Sequence, residues 1–172
     1  YGNYSLKAWT SLTGDANPAN DTQTALCRVD TILVPKWSQK MDMPIGPRGR
    51  YVLRGGAITY GGGNLIYALK GSNTNEFYSY DLAADTWGVK ETVPYLAERK
   101  KRVSSGAALC GGGINFVFCI KGSNTLEFWT YYIPYDTWVR LPDVPAGARR
   151  IKTGSGLVYV SDMAGDKVYC LK

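Results

Sequence analysis

The chain has 172 residues, of which 45% are apolar and 20% are charged, and its formal net charge is +6. This composition is typical of a globular protein, and no apolar run approaches the roughly 20 residues that a membrane-spanning helix needs. The sequence contains no histidine, which excludes the nucleophile pairs and metal sites that depend on an imidazole. We therefore predict no membrane span, no cofactor and no metal site.

The first 21 residues are predicted to form an N-terminal strand followed by a linker. The segment from Tyr4 to Leu12 resembles an outer strand that carries a tryptophan, and the residues from Gly14 to Asp21 are rich in turn formers. We predict that this strand is a donor for strand exchange. The residues predicted to take part in the exchange are Tyr4, Leu6, Trp9 and Leu12.

Residues 61–94 and 111–145 are two copies of one repeat. When Ile114 is treated as an insertion, 17 of the 34 aligned positions are identical, and the period is 50 to 51 residues. Such a period is typical of propellers and solenoids. Short apolar runs between glycines, an aromatic run in period two and a tryptophan segment predict about four antiparallel strands in each copy. The predicted strands are Asn64–Leu69, Glu76–Tyr80, Phe116–Ile120, and the segments from Trp87 to Pro94 and from Trp138 to Pro145.

Partial copies of the repeat flank the two full ones. On the N-terminal side, Ala25–Asp30 is predicted to be a third strand and Lys36–Pro44 an outer strand. On the C-terminal side, residues 149–172 are a partial copy, in which Leu157–Val160 is predicted to be the second strand and Lys167–Cys170 the third, so that only the outer strand is missing. Because natural proteins rarely leave a strand edge open, we expect the N-terminal strand to complete the last blade, either in its own chain or in a neighbouring chain.

The repeat resembles the kelch family over roughly residues 37–172. Lys70 and Lys121 depart from the family, which usually has paired glycines there. The resemblance implies an all-β fold of kelch-like β-propeller blades, each a four-stranded antiparallel sheet, in an incomplete ring with partial terminal blades. These blades would occupy residues 22–172, with repeats near 48–94, 99–145 and, in part, 149–172. The matching residues are Arg48, Gly55-Gly56-Ala57, Tyr67, Gly71, Tyr80-Asp81 and Trp87 in one copy, and Arg99, Gly106-Ala107-Ala108, Gly122, Tyr131 and Trp138 in the next.

The four cysteines are predicted to form two disulfide bonds. Cys110 and Cys119 flank a glycine-rich turn and would face each other if the strands pair around it. Cys27 and Cys170 lie in the two terminal partial blades, where a bond would lock the closure. Three connectivities are possible, and in the alternative interpretation all four cysteines are small core residues.

Several features predict a secreted protein at the cell surface or in the extracellular space. The number of cysteines is even and the chain begins at Tyr1 rather than Met, a pattern that fits an oxidising compartment and a processed leader. Two acceptor motifs predict N-glycosylation at Asn3 and at Asn20.

Ten of the twenty lysines and arginines fall in three windows that occupy equivalent positions in the repeat. Such windows attract anions, and we predict binding of an anionic glycan or a protein partner there. The alternative is that they are solvated links. Nucleic acid is not expected, since no nucleic-acid fold signature appears. The predicted anion-binding or partner-binding residues are Arg48, Arg50, Arg99, Lys100, Lys101, Arg102, Arg149 and Arg150.

These features together predict a non-catalytic extracellular structural protein that assembles with copies of itself. Terminal strand exchange would build a homo-oligomer, filament, sheath or surface layer. The alternative is a secreted kelch-type binding module for an anionic glycan or a protein partner. An enzyme is not expected, because histidine is absent and because Glu76 and Glu127 are repeat-equivalent, which indicates a structural role.

Overall fold

The computed structural model describes the backbone of residues 2–9 and 22–29 and the full residues 36–172. The fold is all-β, with 42% of the residues in strands and 2% in helix. The chain divides into two compact units, Tyr1–Gln39 and Lys40–Lys172. The boundary between the units therefore follows Gln39, whereas the sequence placed a division after residue 21.

The first unit contains one antiparallel hairpin. Strand β1 (Gly2–Trp9) pairs with β2 (Thr22–Val29) along its whole length, from Gly2 opposite Val29 to Trp9 opposite Thr22. The predicted donor strand is thus hydrogen-bonded to β2 on one edge. Strand exchange through it stays a prediction, and Leu12 lies outside the described residues.

Three sequence predictions fall on this hairpin. Strand β2 covers most of the segment predicted to be a third strand, Ala25–Asp30. The predicted glycosylation site Asn3 lies in β1 opposite Arg28, while Asn20 lies outside the described residues. Glycosylation at both positions stays a prediction.

The second unit contains two four-stranded antiparallel meanders, as the repeat predicted. Each strand pairs with its neighbours in sequence, and a single 3₁₀ turn at Ile133–Tyr135 joins the last two strands of the second sheet. The first sheet comprises β3 (Ala57–Tyr60), β4 (Leu65–Leu69), β5 (Phe77–Asp81) and β6 (Thr86–Lys90). The second sheet comprises β7 (Ala108–Gly111), β8 (Phe116–Ile120), β9 (Phe128–Tyr132) and β10 (Thr137–Leu141).

The third sheet is a two-stranded hairpin. Strand β11 (Gly156–Asp162) pairs with β12 (Gly165–Leu171), from Gly156 opposite Leu171 to Asp162 opposite Gly165. These strands correspond to the first two strands of each full sheet, so their predicted assignment to the second and third strands is wrong by one strand. Among the described strands, β12 has no partner on its other edge.

Aromatic side chains fill the space between the first and second sheets. Phe77 is fully buried and packs edge-on against Tyr131 and Trp138, with ring centroids 4.8 and 4.9 Å away. Tyr67 stacks on Phe77 at 5.6 Å. A second cluster, which includes Ile120, lies between the second and third sheets. The burial of the central strands on both faces therefore comes from sheets that pack face to face.

The predicted outer strand at Lys36–Pro44 is wrong. Residues 36–44 form no strand, and the Trp37 side chain is fully exposed. The Met41 N–H donates to Asp85 Oδ1 at 3.0 Å, and its carbonyl accepts from Trp87 Nε1 at 2.8 Å. Side chains of the first sheet thus form the hydrogen bonds with the Met41 N–H and carbonyl that a neighbouring strand would otherwise form.

The predicted Cys110–Cys119 disulfide is also wrong. Cys110 lies opposite Phe118, and Cys119 lies opposite Leu109. Because successive side chains of a strand point to opposite faces, Cys119 packs in the cluster between the first and second sheets, and Cys110 in the cluster between the second and third. Both thiols are free. The sequence-based prediction shifted the pairing of β7 with β8 by one residue, so that Cys110 was placed opposite Cys119 instead of Phe118.

Cys170 is also a free thiol, which gives no support to the predicted bond with Cys27. Cys27 lies in β2, opposite Tyr4, and its side chain lies outside the described part of the chain. Cys170 packs against the same cluster as Cys110. The alternative interpretation, that the cysteines are small core residues, therefore describes Cys110 and Cys119.

Candidate docking site on the third sheet

A buried lysine–glutamate pair lies at the end of the second strand of the first sheet. Lys70 is fully buried, and its Nζ lies 2.8 Å from Glu76 Oε2. The same ammonium donates to the carbonyl oxygen of Pro44 at 2.5 Å and to that of Ile45. It therefore joins the third strand of its own sheet to the segment that precedes the sheet.

The second sheet repeats this arrangement. Lys121 is fully buried, and its Nζ lies 3.1 Å from Glu127 Oε2 and 2.8 Å from the carbonyl oxygen of Pro94. A buried charge is tolerated only when it is paired and hydrogen-bonded, and this lysine meets both conditions. Lys121, like Lys70, is therefore one member of a buried ion pair that holds the fold together.

An aromatic side chain supports each glutamate. Tyr78 donates its hydroxyl hydrogen to Glu76 Oε2 at 2.8 Å, and Trp129 Nε1 donates to Glu127 Oε2 at 3.3 Å. Burial is the main reason why the pKa of the Tyr78 hydroxyl is raised well above its usual range, and the bond to Glu76 adds to the shift. Oε2 of each carboxylate therefore accepts from an aromatic donor as well as from the lysine.

A left-handed turn follows each of these lysines. Gly71, Ser72 and Asn73 have φ values of 64°, 52° and 57°, and the equivalent Gly122-Ser123-Asn124 has 64°, 53° and 60°. Consecutive non-glycine residues in this region are strained. A Cβ at Gly71 would lie 2.4 Å from the carbonyl carbon of Gly55, so only glycine fits there.

Backbone hydrogen bonds hold this turn against the neighbouring chain segments. The Ser72 N–H donates to the carbonyl oxygen of Arg54 at 2.9 Å, and the Thr74 carbonyl accepts from the Val103 N–H at 2.9 Å. Thr125 and Ile151 form the equivalent bridge in the next repeat. The turn thus connects each sheet to the link that begins the next one.

A tryptophan and an aspartate at the outer edge of each full sheet bind the preceding segment. Trp138 Nε1 donates to the Glu91 carbonyl at 2.8 Å, and Asp136 Oδ1 accepts from the Glu91 N–H at 2.9 Å. In the first sheet, Trp87 and Asp85 form the equivalent hydrogen bonds with the carbonyl and the N–H of Met41. The residue one repeat after Glu91 is Pro142, which has no N–H to offer an aspartate.

The third lysine of the series lies at the end of β12. Lys70, Lys121 and Lys172 are spaced by 51 residues. Lys172 Nζ donates to the carbonyl oxygen of Pro145, and to those of Ala146 and Arg149 at 2.6 and 3.4 Å. The carbonyls of Pro145 and Ala146 are the counterparts of those of Pro44 and Ile45, which Lys70 contacts, and the Pro94 carbonyl holds the same place for Lys121. Lys172 is exposed, and no carboxylate of residues 36–172 forms a salt bridge with it.

An apolar groove of about 620 Å³ lies beside Lys172. Its walls come from the second sheet, the segment after β10, and the third sheet. Asp143 also lines the groove, but its carboxylate is paired with Arg140. The groove thus offers apolar surface, the edge of β12 and one ammonium group. Its principal apolar lining residues are Phe128, Leu141, Val144, Leu157 and Val168.

The first repeat shows what occupies the equivalent space. Phe77 of the first sheet is fully buried beneath Tyr131 and Trp138 of the second sheet. Phe128 occupies the same repeat position in the second sheet but is only half-buried, and it lines the groove. The third sheet, with its two strands, provides no counterpart of β9 or β10 to cover it.

The predicted anion-binding residues lie on the links and are mostly solvent-exposed, with Arg102 half-buried. Arg50 donates to the Ser72 carbonyl at 2.9 Å, and Arg102 Nε donates to the Tyr95 hydroxyl at 2.8 Å. A cavity of about 270 Å³ lies where three links meet, and Arg54 lines it. None of the eight predicted residues lines that cavity, and anion binding by all eight stays a prediction.

Other site types have little support. Within residues 36–172, no group of three or more His, Cys, Asp or Glu side chains is placed to hold a metal ion. No helix in the described part of the chain is long and apolar enough to cross a membrane. No protein-family model matches the chain, and no curated protein matches it significantly. The kelch resemblance therefore stays a prediction.

Sequence reasoning missed the lysine series and the groove. The regular spacing of Lys70, Lys121 and Lys172 was visible in the sequence, as was the repeat of Glu76 and Glu127. The contact between each lysine and its glutamate was not visible, because five residues of turn separate them and the turn conformation decides whether they meet. The absence of a carboxylate beside Lys172 was visible only once the first two pairs were known.

Proposed function

We propose that this protein is a non-catalytic structural protein that assembles with copies of itself through the free edge of β12. The observation that carries the proposal is the edge of β12 beside the apolar groove and Lys172, which pairs with none of the described strands. Unpaired edges are templates for strand addition. A strand added there would extend the third sheet in the way that β5 and β9 extend the first two.

The sheets of this protein are, in this proposal, kelch-like propeller blades. Two four-stranded meanders that pack face to face, separated by repeat-equivalent links, support that arrangement. The contact between copies would be head-to-tail, because the edge of β12 differs from any strand that joins it. Such contacts close into rings or extend into filaments, depending on the rotation between copies. Secretion and assembly into an extracellular filament, sheath or surface layer belong to the same proposal.

The sequence-predicted donor is the N-terminal strand. Its residues Tyr4, Leu6 and Trp9 lie in β1, which is paired with β2 on one edge, so the donor would join β12 by its other edge. Deletion of residues 1–12 is expected to abolish association if this strand is the donor. If the truncated chain assembles like the intact chain, another strand is the donor.

The direct test of the acceptor uses a pair of substitutions at Cys170. The N–H groups of Lys70 and Lys121 donate to the carbonyl oxygens of Glu76 and Glu127 in the third strands. Because the donors on one side of a strand recur at every second residue, the N–H groups of Cys170 and Lys172 point toward the free edge. Cys170→Pro removes one of these donors, whereas Cys170→Ala keeps it.

Sedimentation velocity and negative-stain microscopy of the intact chain should show concentration-dependent oligomers or filaments. Cys170→Pro should shift the population to monomer, and Cys170→Ala should not, with circular dichroism confirming that both variants keep their strands. An intact chain that stays monomeric at all concentrations, or a Cys170→Pro variant that assembles normally, would refute the proposal.

A second candidate function is the binding of an anionic glycan. It is supported by the exposed basic links and by the cavity beside Arg54. Charge reversal of Arg99, Lys100 and Lys101 should abolish retention on a heparin column at moderate salt and leave assembly unchanged. Unchanged retention would count against glycan binding.

A further inference from the structure

We propose that the groove beside Lys172 is a receptor for an extended peptide strand that carries a glutamate and, two residues later, a large apolar residue. The glutamate would pair with the Lys172 ammonium, and the large apolar residue, which lies on the same face of the strand as the glutamate, would enter the groove next to Phe128. This inference rests on the proposed function only for the location of the docking strand. It adds the chemistry by which the strand is selected.

The protein itself shows this chemistry twice. In the first sheet, Glu76 directly precedes β5, the strand that pairs with β4. It meets Lys70 at 2.8 Å, and Tyr78, two residues later, is buried on the same face of the strand. In the second sheet, Glu127 directly precedes β9, the strand that pairs with β8. It meets Lys121 at 3.1 Å, and Trp129, two residues later, is buried on the same face of the strand. Strand β12 ends at the same repeat position, directly before Lys172. The same local sequence and geometry therefore predict the same partner.

The position of the Lys172 ammonium is already set. Its bonds to the carbonyls of Pro145 and Ala146 reproduce those that Lys70 makes to Pro44 and Ile45. A donor that is held in place loses less conformational entropy when its acceptor arrives. The third bond of the Lys172 ammonium, to the Arg149 carbonyl, is long at 3.4 Å, so a carboxylate could replace that contact with a stronger, charged hydrogen bond.

One contact that the first two sheets make at their outer edge is not available to a strand bound at the groove. At the outer edge of the first two sheets, an aspartate accepts from a backbone N–H, that of Met41 or Glu91. The equivalent Pro142 has no N–H, so an aspartate at that point of the incoming chain gains no such bond. The Pro142 carbonyl can still accept a hydrogen bond from a tryptophan of the incoming chain. Selectivity therefore depends mainly on the glutamate and the apolar residue.

This chemistry distinguishes the partner from the predicted N-terminal donor. Strand β1 spans Gly2–Trp9 and contains no acidic residue. A strand of this kind would satisfy the backbone edge of β12 but not Lys172. We therefore expect a peptide with the sequence of residues 71–81, GSNTNEFYSYD, to bind more tightly than a peptide with the sequence of residues 2–12.

The experiment measures fluorescence anisotropy of the labelled 71–81 peptide with the full chain. The peptide in which its glutamate is replaced by glutamine is expected to bind about tenfold more weakly, because a charged hydrogen bond is replaced by a neutral one. Added salt should weaken the glutamate peptide more than the glutamine peptide. This comparison leaves the protein unchanged, so it does not depend on a variant that folds.

A matched pair of protein variants tests whether Lys172 is the group that recognises the glutamate. Lys172→Gln should weaken the glutamate peptide about tenfold and leave the glutamine peptide unchanged. Lys167→Gln removes the same charge from the same strand, but Lys167 already pairs with Asp162 at 3.1 Å. The Lys167→Gln variant should therefore bind the glutamate peptide as tightly as the unmodified chain does. Equal binding of the two peptides, or no binding of either, would overturn the inference.

The two proposals fail in different ways. If the chain stays monomeric but binds the glutamate peptide through Lys172, the proposed self-assembly is wrong and the receptor stands. If the chain assembles and the residue 2–12 peptide competes better than the glutamate peptide, self-assembly stands and the selection of a glutamate strand is wrong.

Discussion

The ammonium of Lys121 and the carboxylate of Glu127 lie 3.1 Å apart with both side chains buried. Lys70 and Glu76 form the same pair one repeat earlier, at 2.8 Å. Each pair joins three chain segments: the second strand, the third strand and the segment that precedes the sheet. This relationship explains why the repeat carries a lysine before Gly71 and Gly122, and it is the basis for the role given to Lys172.

Removal of one member of the pair should destabilise the protein strongly. Glu127→Gln or Lys121→Met leaves a buried polar or charged partner without its counterpart, and a loss of about 3–5 kcal/mol in unfolding free energy is expected for the lysine variant. Urea denaturation followed by tryptophan fluorescence measures this loss.

Two controls test whether the loss comes from the unpaired charge. The double variant Lys121→Met with Glu127→Leu should recover a large part of the stability, because no charge remains buried. Lys167→Met, which breaks an exposed pair, should cost less than about 1 kcal/mol. A double variant no more stable than Lys121→Met would contradict this explanation.

The stability should decrease at alkaline pH through Tyr80. The hydroxyl of Tyr80 donates to Asp85, and this bond, with a smaller contribution from burial, raises the pKa of Tyr80 to about 12. The contribution of Tyr80 is full below the unfolded tyrosine pKa of about 10 and is lost as the pH rises toward 12. Tyrosinate absorbance and chemical denaturation between pH 9 and 12 would show this decrease, and Tyr80→Phe should reduce it.

Acid should destabilise the contacts at the outer edge of the sheets. The pKa of Asp85 is lowered, chiefly by the hydrogen bond from the Met41 N–H and then by that from Tyr80. For Asp136, burial alone would raise the pKa, but the bonds from Tyr131 and the Glu91 N–H lower it overall. These carboxylates contribute stability above the unfolded aspartate pKa of about 3.9, and the contribution is lost as the pH falls through their lower folded values.

Thermal denaturation between pH 2 and 6 would measure this effect. The variant Asp136→Asn should be less stable at pH 6 and should show a smaller change toward pH 2, whereas the surface substitution Asp42→Asn should leave the pH profile unchanged. A profile of Asp136→Asn that parallels the unmodified chain would show that the contacts at the outer edge do not carry the dependence.

The thiols should differ in reactivity. Burial raises the pKa of Cys110 to about 11 and that of Cys119 further, and the thiolate is the reactive form. At pH 8, iodoacetamide should modify Cys170 first, Cys110 slowly and Cys119 only after unfolding, as read by mass spectrometry of digested protein. A non-reduced digest that yields a peptide linked through Cys110 and Cys119 would contradict the register of β7 and β8.

The strands could be predicted because their signals are local. Apolar runs bounded by glycine, and aromatic residues in period two, placed β4, β5 and β8 within one residue of their observed ends. The segment at residues 36–44 could not be predicted in this way, since a tryptophan and a proline at the repeat spacing do not by themselves supply a neighbouring strand. The register of Cys110 and Cys119 also depended on where the turn closes, which a glycine-rich sequence leaves open.

The sequence by itself determined the all-β fold, the repeat of about 50 residues and the absence of any imidazole chemistry, because these depend on residue type and spacing alone. Only the tertiary structure decided that Lys70 meets Glu76, that the two central cysteines face opposite sides of a sheet, and that Lys172 lies beside an apolar groove without a carboxylate from residues 36–172. Each of these depends on register and on turn conformation. A shift of one residue in a strand exchanges its two faces, and three left-handed residues decide whether a lysine and a glutamate six positions apart come into contact.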